Sequence, residues 1–75
     1  MKLNQAKTNI EYEILSIKCE EEHVCTRLLN LGFITGKKVI LKRKAPIFKD
    51  PLLFQVGSSQ IALTNSEANY IEVTD

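Results

Sequence analysis

The sequence predicts a small, mainly β domain with one short helix, folded as a curled sheet or small barrel. The chain has 75 residues, which allow a single domain with a small core. Short segments with strand periodicity recur between proline and glycine turns. Only one segment, ending at Gly32, carries an apolar stripe at helical spacing. Five short strands and one helix follow from these observations.

The first strand is predicted at residues 10–17. Apolar and polar residues alternate there as far as Ile14, which is the period of a half-buried strand. The alternation slips at Leu15 and Ile17, and this slip indicates a bulge or a switch of the strand between the two faces of the sheet. Residues 1–9 are expected to form a loosely ordered start.

The helix is predicted to open at residues 20–22 and to end at Gly32. Three consecutive glutamates there complement the positive end of a helix dipole. A glycine can adopt the left-handed backbone that ends a helix, and Phe33 then lies where an apolar cap contact folds back. The apolar stripe consists of Val24, Leu28 and Leu31.

Four further strands complete the predicted sheet. Pro46 ends the second strand and Pro51 precedes the third, because proline cannot donate to a ladder. A turn at 57–59 leads to the fourth strand, and a capped turn at 64–67 leads to the fifth. The strands are expected at 37–44, 52–56, 60–64 and 70–73. The residues expected to face inward are Val39, Leu41, Leu52, Phe54, Val56, Ile61 and Leu63.

The net charge of +1 conceals a strong asymmetry. Five of the nine acidic residues lie within 11–22, and six of the ten basic residues lie within 37–49. This predicts a dipolar surface, and steering towards an acidic partner is more plausible than a general nucleic-acid role. The isoelectric point near 7.8 is below the range typical of nucleic-acid-binding domains.

The one group of soft metal ligands is Cys19, His23 and Cys25. On one helix Cys25 would lie about 240° round from Cys19 at 100° per residue, so one helix cannot offer all three to one ion. No resident metal is therefore expected. Both thiols are expected to be reduced, because two cysteines are few for a disulfide scaffold and a cytoplasmic compartment disfavours one. Catalysis is not predicted either, because one histidine and three glycines provide no triad and no phosphate loop.

The segment 44–51 is the best functional candidate. Ile47 and Phe48 lie between two prolines in a predicted hairpin loop, where apolar side chains have little core to enter. Exposed apolar residues beside Lys44 and Lys49 suit a protein-binding edge. In the alternative interpretation Phe48 folds back over the barrel mouth as a lid.

The order and spacing of several residue pairs resemble those of the FeoA family, small cytosolic proteins and domains associated with bacterial ferrous-iron uptake. The matching residues are Arg27-Leu28, Leu31-Gly32, Gly36, Val39, Ala45-Pro46, Pro51, Ile61-Ala62-Leu63, Ala68 and Ile71-Glu72-Val73. The resemblance implies one SH3-like five-stranded barrel over residues 1–75. It also implies a non-enzymatic, cofactor-free regulatory module that binds the FeoB ferrous iron transporter, at its cytosolic G domain or its membrane part.

A cytoplasmic location is expected, because the N-terminus lacks the apolar stretch of a signal peptide. Tyr12, Phe48 and Tyr70 could furnish an aromatic binding groove. An unpaired strand edge would permit a weak homo-oligomer. The predicted partner surface comprises Arg27, Lys42, Arg43, Lys44, Ile47, Phe48 and Lys49.

A different class of function stays open at this point. The same fold occurs as an accessory domain of metal-dependent transcriptional regulators, and the basic run at 42–44 could contact phosphates. Aromatic residues are not interleaved with these bases, however, as stacking platforms for nucleic acid would require.

Overall fold

The computed structural model describes all residues from 1 to 75 and contains one sheet of five antiparallel strands. The strand order is β4-β3-β2-β1-β5. The predicted five strands and the helix are confirmed, and the capped turn after the fourth strand is a one-turn helix. The elements are a 3-10 turn at Leu3–Gln5, β1 at Glu11–Ile17, α1 at Glu22–Asn30, β2 at Lys38–Lys44, β3 at Leu52–Val56, β4 at Ser59–Leu63, α2 at Asn65–Ala68 and β5 at Ile71–Val73.

The sheet is not closed into a complete barrel by hydrogen bonds, because β4 and β5 form its two edges. The N-terminal segment covers part of the β5 edge. Lys2 forms a bridge with Glu72, and the backbone N–H of Val73 donates to the carbonyl of Met1 at 2.8 Å. A short segment of chain thus protects an edge that the predicted barrel would have protected by closure.

The start of the chain is packed, so the expectation of a loosely ordered segment at residues 1–9 is wrong. Leu3 is fully buried and Ala6 nearly so. The two residues are three apart around a 3-10 turn, which brings their side chains to the same face. Further along, the N–H of Asn9 donates to the carbonyl of Leu41 at 2.8 Å.

The core contains 15 buried residues, all of them apolar. The predicted inward positions are confirmed, with Ile61 only partly buried against the cluster. At its centre the rings of Phe33 and Phe54 meet edge to face, with centroids 6.3 Å apart. That geometry is the favoured one for an aromatic pair.

The C-terminus of α1 follows the predicted pattern. Gly32 has φ +108°, and the N–H of Phe33 donates to the carbonyl of Leu28 at 3.1 Å. A Cβ at Gly32 would lie 3.9 Å from a methyl group of Val56, which is an ordinary contact. Glycine is therefore favoured here by its backbone conformation and not by lack of space.

Candidate partner-binding surface

The connection between β2 and β3, residues 45–51, projects its apolar tip into solvent. We call it the Phe48 loop. The side chains of Ile47 and Phe48 are 70% and 92% exposed, more than any other large apolar residue in the chain. Phe48 does not fold back over the core, so the alternative interpretation of a lid is wrong.

The backbone at the tip of the Phe48 loop is strained. Phe48 and Lys49 have φ values of +63° and +53°, and neither residue is glycine. The left-handed conformation costs an L-residue roughly 1–2 kcal/mol. Strained backbone of this kind is concentrated at binding and active sites of proteins.

The base of the loop is fixed although its tip is exposed. The N–H of Ala45 donates to the carbonyl of Pro51 at 3.0 Å. The N–H of Asn65, in the first turn of α2, donates to a carboxylate oxygen of Asp50 at 2.8 Å. The side-chain amide of Asn65 also donates to the carbonyl of Lys49 at 3.3 Å. The hydrogen bonds at its base therefore fix the position of the loop that carries Ile47 and Phe48.

A bulge in β2 aims Arg43 at the outer face of the sheet. Leu41 pairs with Phe54, but the register then shifts, and Arg43 pairs with Leu53. Strict alternation from Leu41 would have turned Arg43 into the core. The sequence did not predict this bulge.

A shallow cavity of about 510 Å³ lies beside the Phe48 loop, next to this bulge. Its floor is apolar, its walls are basic, and it lies between the outer face of the sheet and the base of the loop. The lining residues are Arg43, Lys44, Ala45, Pro46, Pro51, Leu53 and Ala62.

The cations around this cavity are exposed and unpaired. Lys42, Arg43, Lys44 and Lys49 form no ion pair, and all four are exposed. β1, which carries Glu11 and Glu13, lies beside β2. At the far end of β2, the carboxylate of Glu13 pairs with the ammonium group of Lys38 at 3.1 Å. Lys2, Arg27 and Lys38 are the paired basic side chains, so four of the seven unpaired ones lie at or beside the Phe48 loop.

Arg27 is placed apart from the loop and is bound to a carboxylate. Its guanidinium forms an ion pair with Glu67 on α2. The two parts of the predicted partner surface meet through α2, since Arg27 is bonded to Glu67 and the Phe48 loop is bonded to Asn65. This short helix connects α1 to the loop.

The predicted aromatic groove does not form. Tyr12 is buried, and its hydroxyl accepts a hydrogen bond from the N–H of Lys7 at 3.0 Å. Tyr70 lies beside the other end of β1, where its carbonyl accepts from the N–H of Lys18 at 2.8 Å. Phe48 is therefore the one exposed aromatic anchor of the three.

The cysteines are joined, so the prediction of two reduced thiols is wrong. Cys19 and Cys25 form a disulfide with their Cα atoms 5.8 Å apart. Cys19 lies before α1, which begins at Glu22, so the helical angle used to separate the two residues does not apply. The exposed imidazole of His23 contacts Glu21 at 3.4 Å. No three His, Cys, Asp or Glu side chains are grouped to hold a metal ion.

Neither helix has the length or the apolar character needed to cross a bilayer.

Comparison with known proteins identifies close relatives of this fold. The FeoA domain profile matches residues 1–75. FeoA of Stenotrophomonas maltophilia, solved with zinc and described as a prokaryotic SH3 domain protein, is 32% identical, with a TM-score of 0.87 over 99% of this chain and 89% of that one. FeoA of Chlorobium tepidum is 32% identical, with a TM-score of 0.87 over 97% of this chain and 68% of that one.

Iron(II) transport protein A of Clostridium thermocellum is 29% identical, with a TM-score of 0.88 over 97% of this chain. The present chain spans 44% of the length of that protein. No curated protein matches the sequence significantly. The predicted SH3-like class is confirmed by these structural neighbours, although hydrogen bonds do not close the sheet.

Proposed function

The chain belongs to the FeoA family, which is associated with ferrous iron transport, and on this basis we propose that it binds a FeoB-type transporter and modulates its activity. In this proposal the protein is a non-enzymatic accessory module that acts in the cytosol. Its contact with the transporter is made by the Phe48 loop and the unpaired cations beside it.

The exposure of Phe48 is the observation that carries the proposal. An aromatic side chain that is 92% exposed gains nothing from burial in the free protein. Aromatic residues that become buried at an interface commonly supply a large share of its binding energy. Because the loop base is bonded to α2, less conformational freedom is lost on binding than for a free loop.

The surrounding charges favour the same role. Lys42, Arg43, Lys44 and Lys49 form no internal ion pair and would steer an acidic surface towards the loop. An interface centred on one loop would be of the small, transient kind.

Modulation would follow from differential binding. A module that binds one conformation of a transporter more tightly than another shifts the population towards that conformation. The shift cannot exceed the difference in binding free energy between the two states. This requires no catalytic group on the accessory protein.

The proposal is tested by NMR titration of the labelled protein with the cytosolic domain of the cognate transporter, with and without guanine nucleotide. Saturable shifts confined to the Phe48 loop and the end of β2 are expected. Phe48→Ala should weaken binding at least tenfold, because it removes the central aromatic anchor.

The matched control is Leu15→Ala, which truncates another exposed apolar residue, 45% exposed and on the β1 bulge. Its affinity should stay within about twofold of that of the native protein, because the substitution lies on the surface outside the proposed contact. Equal losses in the two variants, or no saturable shifts with the domain or with the full transporter, would refute the proposed surface.

A further inference from the structure

Three residues on adjacent strands form a row across the outer face of the sheet. Arg43 on β2 pairs with Leu53 on β3, and Leu53 pairs with Ala62 on β4. Residues directly opposite one another project to the same face of a sheet. The row therefore runs from a free guanidinium across a half-buried leucine to an exposed methyl group.

The row is the floor of the cavity beside the Phe48 loop. Lys44 forms a second basic wall, and Pro46 and Pro51 close the side next to the loop base. The small side chain at Ala62 and the volume of the cavity leave room for an inserted aliphatic side chain. A cavity of about 510 Å³ exceeds the volume of one such side chain, so neighbouring backbone would also enter it.

We propose that this cavity binds an extended acidic segment of the partner protein, with one aliphatic side chain on the row and flanking carboxylates on Arg43 and Lys44. The inference rests on the proposed function for the identity of the partner, and it adds the chemistry of the segment that is recognised. Charge complementarity is the basis for the choice of occupant.

The carboxylate chemistry fits the groups present. Arg43 forms no ion pair within the chain, and its planar fork can bind one carboxylate through two parallel hydrogen bonds. Lys44 supplies a second, more mobile donor at the same rim. Asp50, the one acidic residue of the Phe48 loop, forms no ion pair with these cations and instead accepts from the N–H of Asn65.

A nucleic acid fits the same surface less well. The floor of the row is aliphatic, and the one exposed aromatic, Phe48, is on the loop and not interleaved with the bases. Stacking platforms for bases are therefore absent from the cavity.

The test uses NMR titrations with a defined peptide, Gly-Glu-Gly-Glu-Leu-Glu-Gly-Glu-Gly with an amidated C-terminus. Shifts at Arg43, Leu53 and Ala62 are expected. Exchanging every Glu for Lys should abolish them, and exchanging the central Leu for Gly should weaken binding at least threefold. A single-stranded DNA of nine nucleotides is the competitor, and displacement of the peptide at equimolar DNA would overturn the proposal.

Two protein variants locate the contact. Arg43→Glu should lower the affinity for the peptide at least tenfold. Lys18→Glu makes the same charge change on an exposed lysine outside the cavity, and it should leave the affinity within twofold. Equal effects of the two variants would show that the peptide binds by nonspecific electrostatic attraction, and this would refute the site. Heteronuclear spectra of both variants establish that each is folded before the titration.

The same variants separate this inference from the proposed function. If Phe48→Ala abolishes binding of the transporter domain and Arg43→Glu does not affect it, the acidic-segment proposal fails and the proposed function stands. If the peptide binds with the expected dependence on Arg43 while the transporter does not bind, the proposed partner fails and the cavity chemistry stands.

Discussion

Arg27 and Glu67, 40 residues apart in the chain, form an ion pair that joins α1 to α2. The same Glu67 carboxylate accepts a hydrogen bond from the N–H of Thr64 at 2.9 Å, and the hydroxyl of Thr64 accepts from the N–H of Glu67 at 3.2 Å. This reciprocal pattern is a capping box. One carboxylate therefore both starts the four-residue helix and attaches the longer helix to it.

The two partners are expected to contribute unequally to stability. Arg27 is about half exposed, with 53% of its side-chain surface accessible, so Arg27→Ala should cost at most about 1 kcal/mol. Glu67→Ala removes the pair and also the hydrogen bond from the N–H of Thr64, and one such bond is worth about 1 kcal/mol more. Urea denaturation of the two variants measures the difference.

Glu67→Gln is the matched control for the charge. It keeps an oxygen that can accept from Thr64 but removes the ionic attraction to Arg27. Its stability should therefore lie close to that of Arg27→Ala. If Glu67→Gln were as unstable as Glu67→Ala, the charge and not the cap would be the main contribution of this residue.

Lys49 should be a position where glycine stabilises the protein. Its φ of +53° costs an L-residue roughly 1–2 kcal/mol, and glycine avoids that cost. Glycine also lowers the free energy of unfolding by about 0.5–1 kcal/mol, because it has more conformational freedom in the unfolded chain. The expected net gain for Lys49→Gly is about 0.5–1 kcal/mol in the free energy of unfolding, measured by urea denaturation.

Lys44→Gly provides the comparison, because it removes the same charge from the end of a regular strand. There glycine should destabilise by about 0.5–1 kcal/mol. Lower stability in both variants would show that the left-handed backbone at Lys49 is not a source of strain in solution.

The features of the fold that could be predicted were those in which a structural need is met by one recognisable type of residue. The inward set of β3 followed from alternation, and the end of α1 followed from the need for a left-handed residue at Gly32. The bulge in β2 was hidden because Lys42, Arg43 and Lys44 are all polar, so no change of phase is visible in the pattern.

Two other features depend on distances that a linear pattern does not contain. The buried Leu3 and Ala6 belong to a single 3-10 turn, which is too short to show a period. The pairing of Cys19 with Cys25 depends on where the chain bends before α1. The exposure of Phe48 was one of two predicted alternatives, and only the conformation of the loop could decide between them.

The Cys19–Cys25 disulfide should stabilise the start of α1. It closes a short loop across the first turn of the helix, and a cross-link of this loop size is worth about 2 kcal/mol through the unfolded chain. Urea denaturation with and without a thiol reductant should show that loss in the native sequence. The variant with both cysteines changed to serine should be insensitive to the reductant, and equal midpoints for the native protein in both conditions would contradict the prediction.

Glu72 should make the stability of the protein depend on pH in the acidic range. Its hydrogen bond with the α-ammonium group of Met1, 2.7 Å from the carboxylate, lowers the pKa of Glu72 from its usual 4.5, and Lys2 adds to the effect. The ionised carboxylate is thus favoured in the folded state. The resulting stability is present above pH 4.5 and is lost as the pH falls through the lowered pKa.

The same contact acts on the amine in the opposite direction. Glu72 and then Asp75 raise the pKa of the Met1 α-ammonium group above its usual 8.0, so this contribution is present below pH 8.0 and is lost as the pH rises through the raised pKa. Glu72→Gln should flatten the acidic limb of a plot of unfolding free energy against pH and should weaken the alkaline limb. Asp75→Asn, which leaves the Glu72 contact intact, should keep the acidic limb. An unchanged acidic limb in Glu72→Gln would assign the pH dependence to other carboxylates.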